Sequence, residues 1–323
     1  MSANQKLAIS PHIHSGHSTS HIMLDVLIAL LPVTVAGAVI FGWQSLLVVG
    51  ACVATSVLSE LLFTLITKKP TTIGDLSAAV TGLILGLNLP ANTPLWQCVV
   101  GSVFAIVIVK GLFGGLGQNV VNPAVTARVF MLLSFPAVRV VTSLPEEYTA
   151  NLPGVADTVS KATPLAQGAA EMPSLLDMAM GIHGGVIGET CSIALLLGGA
   201  YLLLRRVITW QIPVFYIGTV FALSFFMEGM NAESALKMVP AGGLLLGAFF
   251  MATDYVTSPP TPWGKVLFGL GCGLLTCLIR YFAGNAGHPV EGVSYAILLM
   301  NILNPFICKM TQRKVFGVGG KNK

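Results

Sequence analysis

Gly82-Leu-Ile-Leu-Gly86 and Gly243-Leu-Leu-Leu-Gly247 are two copies of one apolar pattern, widely separated along the chain. The apolar runs that hold them, 76–89 and 239–252, are equally short. At about 1.5 Å per residue a helix of that length covers about 21 Å, short of a hydrocarbon core about 30 Å thick. A proline-bearing break follows each run: Leu89-Pro90 to Pro94-Leu-Trp96 in one case, Thr257 to Pro262-Trp263 in the other. Next comes a long apolar helix ending in a glycine-rich turn, Phe113-Gly-Gly-Leu-Gly-Gln-Asn119 or Phe282-Ala-Gly-Asn-Ala-Gly-His288. The step from Phe113 to Phe282 is wider than the step from Gly82 to Gly243, so a few inserted residues separate the two registers.

Working outward, apolar segments fall near 22–41, 45–67, 76–89, 95–113 and 119–135, and again near 189–204, 208–229, 239–252, 265–283 and 290–308. That is five on each side of a long polar stretch. A unit of five crossings returns the chain on the opposite side, so the second copy is inverted relative to the first. Inverted repeats place their sites at the repeat interface and on interrupted helices. The two short segments fit that pattern: each is predicted to stop part-way, its broken end buried so that the freed backbone groups find partners. The fold class expected is an all-α polytopic membrane protein of about ten transmembrane helices in two inverted five-span repeats, with an extracytoplasmic loop between them. The divisions are 1–21 (cytoplasmic lead-in), 22–135 (first membrane half), 136–188 (outer loop), 189–308 (second half) and 309–323 (basic tail).

Composition agrees. Of 323 residues, 54% are apolar and only 9% charged, against roughly a quarter charged in soluble domains. Soluble enzymes, nucleic-acid binders and disordered chains are thereby excluded, and lipid is the expected solvent. The placement of charge sets the orientation. With the N-terminus in the cytoplasm, Lys6, Lys68, Lys69, Lys110, Arg205, Arg206, Lys265, Lys309, Arg313, Lys314, Lys321 and Lys323, twelve of the 17 basic residues, lie at cytoplasmic ends. Arg139, Lys161, Lys237 and Arg280 fall outside, and Arg128 lies at the start of the fifth span. This excess follows the positive-inside rule and puts both termini on the cytoplasmic side of the membrane.

The first apolar run is too long for a secretory signal and is read as a retained anchor. Cys52, Cys98, Cys191, Cys272, Cys277 and Cys308 all lie in apolar segments without a CxxC pair, so they read as buried small hydrophobes. His12, His14, His17 and His21 form a polar lead-in, and no metal site is expected. Intramembrane carboxylates are costly and therefore functional suspects. Asp75, Glu228, Asp254 and Glu291 stand at span ends; the first three read as solvated or capping groups. Asp25 and Glu60 are deeper, expected to face each other's helices, and are candidates for an ion path. In the outer loop, Asp157-Thr-Val-Ser160-Lys161-Ala162-Thr163-Pro164 reads as a turn-rich stretch in which Pro164 keeps Thr163 extended and its hydroxyl accessible. Asn119 and Asn122 precede Pro123, the pattern of a helix cap followed by proline at the first helical position.

Ser10-Pro-His12, the run Ile22-Met-Leu-Asp-Val-Leu-Ile-Ala-Leu-Leu-Pro32 and Gly117-Gln-Asn119-Val-Val-Asn122-Pro-Ala124, with the half-repeats above, resemble the family of the D subunit of Rnf. Rnf is the ion-pumping ferredoxin:NAD⁺ oxidoreductase, and the same family supplies the B subunit of the sodium-pumping NADH:quinone reductase. The resemblance covers nearly the whole chain, and the brief N-terminus is closer to the Rnf branch. It implies FMN held by a phosphoester on Thr163, within Ser160-Lys161-Ala162-Thr163 and downstream of Asp157; Lys161 stands where glycine is common in the family. It implies also a second, non-covalent flavin (riboflavin) in the membrane part, for which Asn119, Asn122 and Arg128 are candidate contacts beside Gly114, Gly115 and Gly117. For the asparagines the capping role stands as the alternative; for Arg128, helix-end snorkelling.

The function the resemblance implies is a membrane subunit that relays electrons in a redox-driven ion pump coupled to Na⁺ or H⁺. It is incomplete alone, having neither a nicotinamide fingerprint nor cluster cysteines. The implied partners are membrane lipid and the other Rnf subunits: the FMN-bearing G subunit, the cluster-carrying A and E pair, and the C and B subunits. The flavins carry the electron chemistry, so no catalytic side chain is expected. A passive channel or transporter for a small polar solute on the same scaffold is the competing reading, because fold alone does not assign function.

Overall fold

The computed structural model describes residues 18–69, 72–135, 173–285 and 292–312. Every regular element among them is helical. The first half holds α1 (Thr19–Phe41), α2 (Trp43–Ile66), α3 (Ser77–Leu87), α4 (Leu95–Gly111) and α5 (Pro123–Ser134). A short α6 (Leu175–Met180) leads to the second half: α7 (Ser192–Leu204), α8 (Gln211–Met227), the brief α9 (Ala232–Lys237), α10 (Leu244–Leu246, continued by wide π turns over Gly247–Met251), α11 (Pro262–Asn285) and α12 (Val293–Thr311). Each of the ten predicted apolar segments thus contains a helix. Four of them, α1, α2, α11 and α12, are long and apolar enough to cross a membrane; α3, α4, α5, α7 and α8 have 10–17 residues. The chain is a membrane-embedded helical protein whose lipid-like exterior carries large apolar side chains such as Leu62, Ile66, Leu204 and Phe226.

Packing follows a simple scheme. Within the first half α2 packs on α3 and α4, and within the second α8 packs on α11, which also packs on α12. α1 also lies against α7, and α5 against α12. Small residues permit the closest approaches: a Cβ at Gly198 on α7 would stand 2.2 Å from the Ala29 carbonyl oxygen of α1, and one at Gly82 on α3 only 2.7 Å from the Cys52 carbonyl oxygen of α2. One buried apolar core runs through both halves.

The two short helices begin alike. The residue before α3, Leu76, and the residue before α10, Gly243, both adopt the left-handed conformation, with φ of 62° and 65°. The step along the chain from Leu76 to Gly243 equals the step from Trp96 to Trp263, the second residues of α4 and α11. The Gly-x-x-x-Gly copies read from sequence therefore sit at different heights: Gly243 is the cap of α10, whereas Gly82 lies inside α3. Both short helices also end in the interior. The amides of Gly188 and Ile187 donate to the carbonyls of Leu87 (2.7 Å) and Leu89 (3.3 Å) at and beyond the end of α3, and Asn122 Nδ2 donates to the Met251 carbonyl ending α10 (3.2 Å). Backbone groups at buried helix ends are thus satisfied by irregular chain from elsewhere, as an apolar surround requires. At the start of α10, Arg280 of α11 donates to the carbonyls of Met238, Ala241 and Gly242.

Candidate functional site

A cleft enclosing about 770 Å³, open mouth included, lies where the halves meet. Ile22, Met23 and Val26 of α1 with Leu202 of α7 and Phe249 and Phe250 of α10 form apolar walls. The polar face comes from Ser77 and Thr81 on α3, Lys110 at the end of α4, and Asn119 and Asn122 in the loop before α5; Asp254 stands on the α10 side. Apolar walls with few convergent polar groups are the usual features of a small-molecule site.

Local sequence explains each polar position. Asp75 Oδ1 accepts from the Ser77 amide at 2.8 Å and from its hydroxyl, which starts α3 at the cleft wall. The last stretch of α4, Phe104–Gly111, winds as π turns and carries Lys110 to the same place. Lys110 is 4% exposed, and its ammonium donates to Glu60 Oε1 and to Ser77 Oγ, both at 2.6 Å. Thr72 Oγ1 donates to the same Glu60 oxygen at 2.8 Å. A buried ion pair of this kind persists because removing one partner strands a charge in apolar surroundings. Across the cleft, Asp254 accepts from Thr257 Oγ1 at 3.0 Å and from the Val256 amide at 3.4 Å, a turn-capping role.

The structure brings Asn119 and Asn122 together on the cleft wall. Asn122 is also a helix cap: its Oδ1 accepts from the amides of Ala124 (3.0 Å) and Val125 (3.3 Å), with Pro123 opening α5. With the Asn301 amide turned to satisfy its neighbours, the Asn122 backbone N–H donates to it at 3.1 Å. Asn119 donates from Nδ2 to the Val121 carbonyl at 3.1 Å, and its amide oxygen accepts no hydrogen bond among the described residues. Beside it, Cβ atoms at Gly115 and Gly117 would meet open space. Arg128 lies elsewhere: it is buried on α5, not among the cleft-lining residues, and at 3% exposure it does not snorkel to a surface. Asp157, Ser160, Lys161, Ala162 and Thr163 lie outside the described residues, as do Glu291 and the first three histidines.

Asp25 and Glu60 do not face each other's helices. Asp25 turns to α7, where Arg205 donates to both carboxylate oxygens at 3.2 Å and Tyr201 Oη to Oδ1 at 3.0 Å. Glu60 turns to α4 and Lys110. The reason is the packing scheme: α1 lies against α7, whereas α2 lies against α3 and α4. Lys110 is the residue sequence reasoning missed. It counted only as a mark of orientation, yet a lone lysine inside the apolar run 95–113 opposite a glutamate in another run carries the signal of an intramembrane ion pair.

The sequence that builds this cleft, between two groups of helices and walled by short ones, has known relatives. The model of the NQR2, RnfD, RnfE family matches residues 6–317. The chain belongs to this family. Among its relatives, the D subunit of the Na⁺-translocating ferredoxin:NAD⁺ oxidoreductase complex of Acetobacterium woodii is 46% identical over 321 residues, covering 98% of this chain and 96% of the relative. The D subunit of the proton-translocating ferredoxin:NAD⁺ oxidoreductase complex of Clostridium ljungdahlii is 41% identical, covering 96% of each. The D subunit of the ion-translocating oxidoreductase complex of Stutzerimonas stutzeri is 37% identical over 95% of this chain and 94% of the relative. As a member of the NQR2, RnfD, RnfE family the chain groups with membrane subunits of redox complexes, and its relatives differ among themselves in the ion they are named for.

Proposed function

We propose that this protein is the membrane-embedded D-type subunit of an Rnf complex, relaying electrons by means of FMN bound covalently at Thr163 and riboflavin held in the cleft, in a complex that moves Na⁺ or H⁺. The near full-length match to subunits of that name supports the complex and its other subunits as partners. The observation that carries the flavin reading within this chain is the cleft itself. Its lining suits an isoalloxazine in kind: apolar side chains from α1, α7 and α10, an amide at Asn119 with acceptor capacity to spare, and hydroxyl oxygens at Ser77 and Thr81 whose protons already go to Asp75 and to the Ser77 carbonyl. A bound flavin would supply one- and two-electron chemistry, and the protein's contribution is position and electrostatics. Asn119, with the hydroxyl oxygens of Ser77 and Thr81, would hold the flavin's polar groups, and Phe249, Phe250 and Leu202 would shield it from water.

The inverted five-span arrangement belongs to this reading. It is supported by the matching left-handed caps at Leu76 and Gly243, by the equal steps that join those caps and the two tryptophans, and by the pairing of α1 with α7 and α5 with α12. The orientation with both termini cytoplasmic rests on the charge balance. It gains support from Lys110, Arg205 and Lys265 lying near one end, where Ser20 bonds Gly74, Arg205 bonds Asp25, Lys265 bonds Thr209 and Thr261 bonds Thr311.

The test is ultraviolet fluorescence of the denatured band from cells that express the flavin-attaching enzyme, with mass spectrometry of the segment between residues 139 and 205. Yellow-green emission lost in Thr163→Ala, with the added mass of FMN on the wild-type segment, is expected. An unmodified segment in protein matured by its own host refutes the electron-carrier reading and leaves the solute pore.

A further inference from the structure

The wall formed by α3 and the end of α4 is electrostatically unlike the wall opposite. Lys110 and Ser77 line the cleft, whereas Glu60 does not. The carboxylate that balances the ammonium stands behind it, at 2.6 Å, and is held there by Thr72 as well. The pair is therefore a fixed dipole whose cationic member belongs to a cleft-lining residue, with the Asp75 carboxylate bonded to the same Ser77 hydroxyl. α3 begins at Ser77 on the same wall, and the N-terminus of a helix adds partial positive charge within its first turn, here tempered by Asp75. Asp254, a carboxyl that follows α10, lines the same cleft. A ligand there meets residues of both charges, Lys110 and Asp254, in surroundings where such charges are poorly screened.

We propose that Lys110 is the positioning residue that sets the reduction potential of the flavin in this cleft, by holding its ammonium at the wall that receives the ring's pyrimidine edge. The proposal rests on the flavin reading of the cleft. Charge near ring position N1 is among the levers by which a protein tunes a flavin, because a reduced ring carries its added negative charge over N1 and the neighbouring C2 carbonyl. A positive end there favours the reduced form. Glu60 and Ser77 accept two of the ammonium's three N–H donors.

The experiment uses the purified complex matured in its host. Non-covalent flavin is extracted and counted, and its midpoint potential is read by redox titration of absorbance. Lys110→Met combined with Glu60→Gln removes both charges and leaves no buried ion unpaired; Lys110→Arg keeps the positive charge. The double variant is expected to retain its flavin while the reduced form is disfavoured about tenfold, about 59 mV for a one-electron step. Lys110→Arg is expected to match the wild type. If the double variant releases its flavin, Lys110→Gln with Glu60→Gln, which keeps a donor to Ser77, carries the same comparison. Flavin retained at an unchanged potential in the charge-free variant overturns this proposal, since a merely structural lysine would alter occupancy and not potential. Absence of non-covalent flavin from the wild-type complex overturns instead the cleft reading on which it rests.

Discussion

Gly198 is where α7 comes closest to α1, and replacing it by alanine tests how the two halves hold together. A Cβ there would stand 2.2 Å from the Ala29 carbonyl oxygen, 3.2 Å from its carbon and 3.0 Å from Phe250 Cζ. Non-bonded heavy atoms settle near roughly 3.5–4.0 Å, so α1 and α7 must part by about 1 Å or more to admit the methyl group. Overpacking of this kind costs about 1–3 kcal/mol. Against it stands a gain of about 0.5–1 kcal/mol from alanine's better helix propensity. Gly50 on α2 and Gly218 on α8 supply the control, because a Cβ at either meets nothing within 4 Å. Thermal denaturation followed by size-exclusion chromatography of detergent-purified protein should place Gly50→Ala and Gly218→Ala at or slightly above the wild type and Gly198→Ala clearly below it. The cleft should feel the same change, since Ile22, Met23 and Val26 of α1 face Leu202 of α7 across it. Gly198→Ala as stable as Gly218→Ala would refute the close α1–α7 packing.

Two further outcomes concern single residues. His183, outside the apolar spans, is buried with Nδ1 donating to the Gly184 carbonyl at 3.0 Å and Nε2 without a hydrogen bond among the described residues, and burial pushes its pKa below the ordinary 6.5. The unfolded chain therefore takes up the proton first, so stability conferred above about pH 6.5 is lost as the pH falls toward the lower folded value; melting temperature measured from pH 8 to 5 should fall less steeply in His183→Gln. At the cap of α10, Gly243→Ala should cost about 1–2 kcal/mol because φ is 65° there, while Leu76→Gly at the cap of α3 should relieve a similar strain. Denaturant midpoints of the two variants that move in the same direction would contradict the left-handed caps.

What the amino-acid order determined by itself was the solvent and the plan. A chain with 9% charged residues has too few polar groups to cover a water-facing surface, and the ten apolar runs follow from hydropathy alone. The short runs 76–89 and 239–252 announced helices that stop early, because length is a one-dimensional property. The cap at Asn122-Pro123 was equally local and equally legible, as was the capping role of Asp75 beside Ser77. Tertiary structure alone decided which charges meet. Asp25 and Glu60 were visible as buried acids, but whether they face each other, Arg205 or Lys110 depends on which helix lies against which, and partners so distant along the chain leave no local pattern. The likeness of α3 and α10 also shows only in space: a short apolar motif recurs easily by chance in an apolar chain, whereas a left-handed cap marks one position on each helix. For the same reason the cleft was only half foreseen. Asn119 and Asn122 could be found beside their glycines, yet Lys110 reaches their cleft only because α4 winds into π turns and α2 places a carboxylate behind it, a convergence of segments that no single stretch of sequence contains.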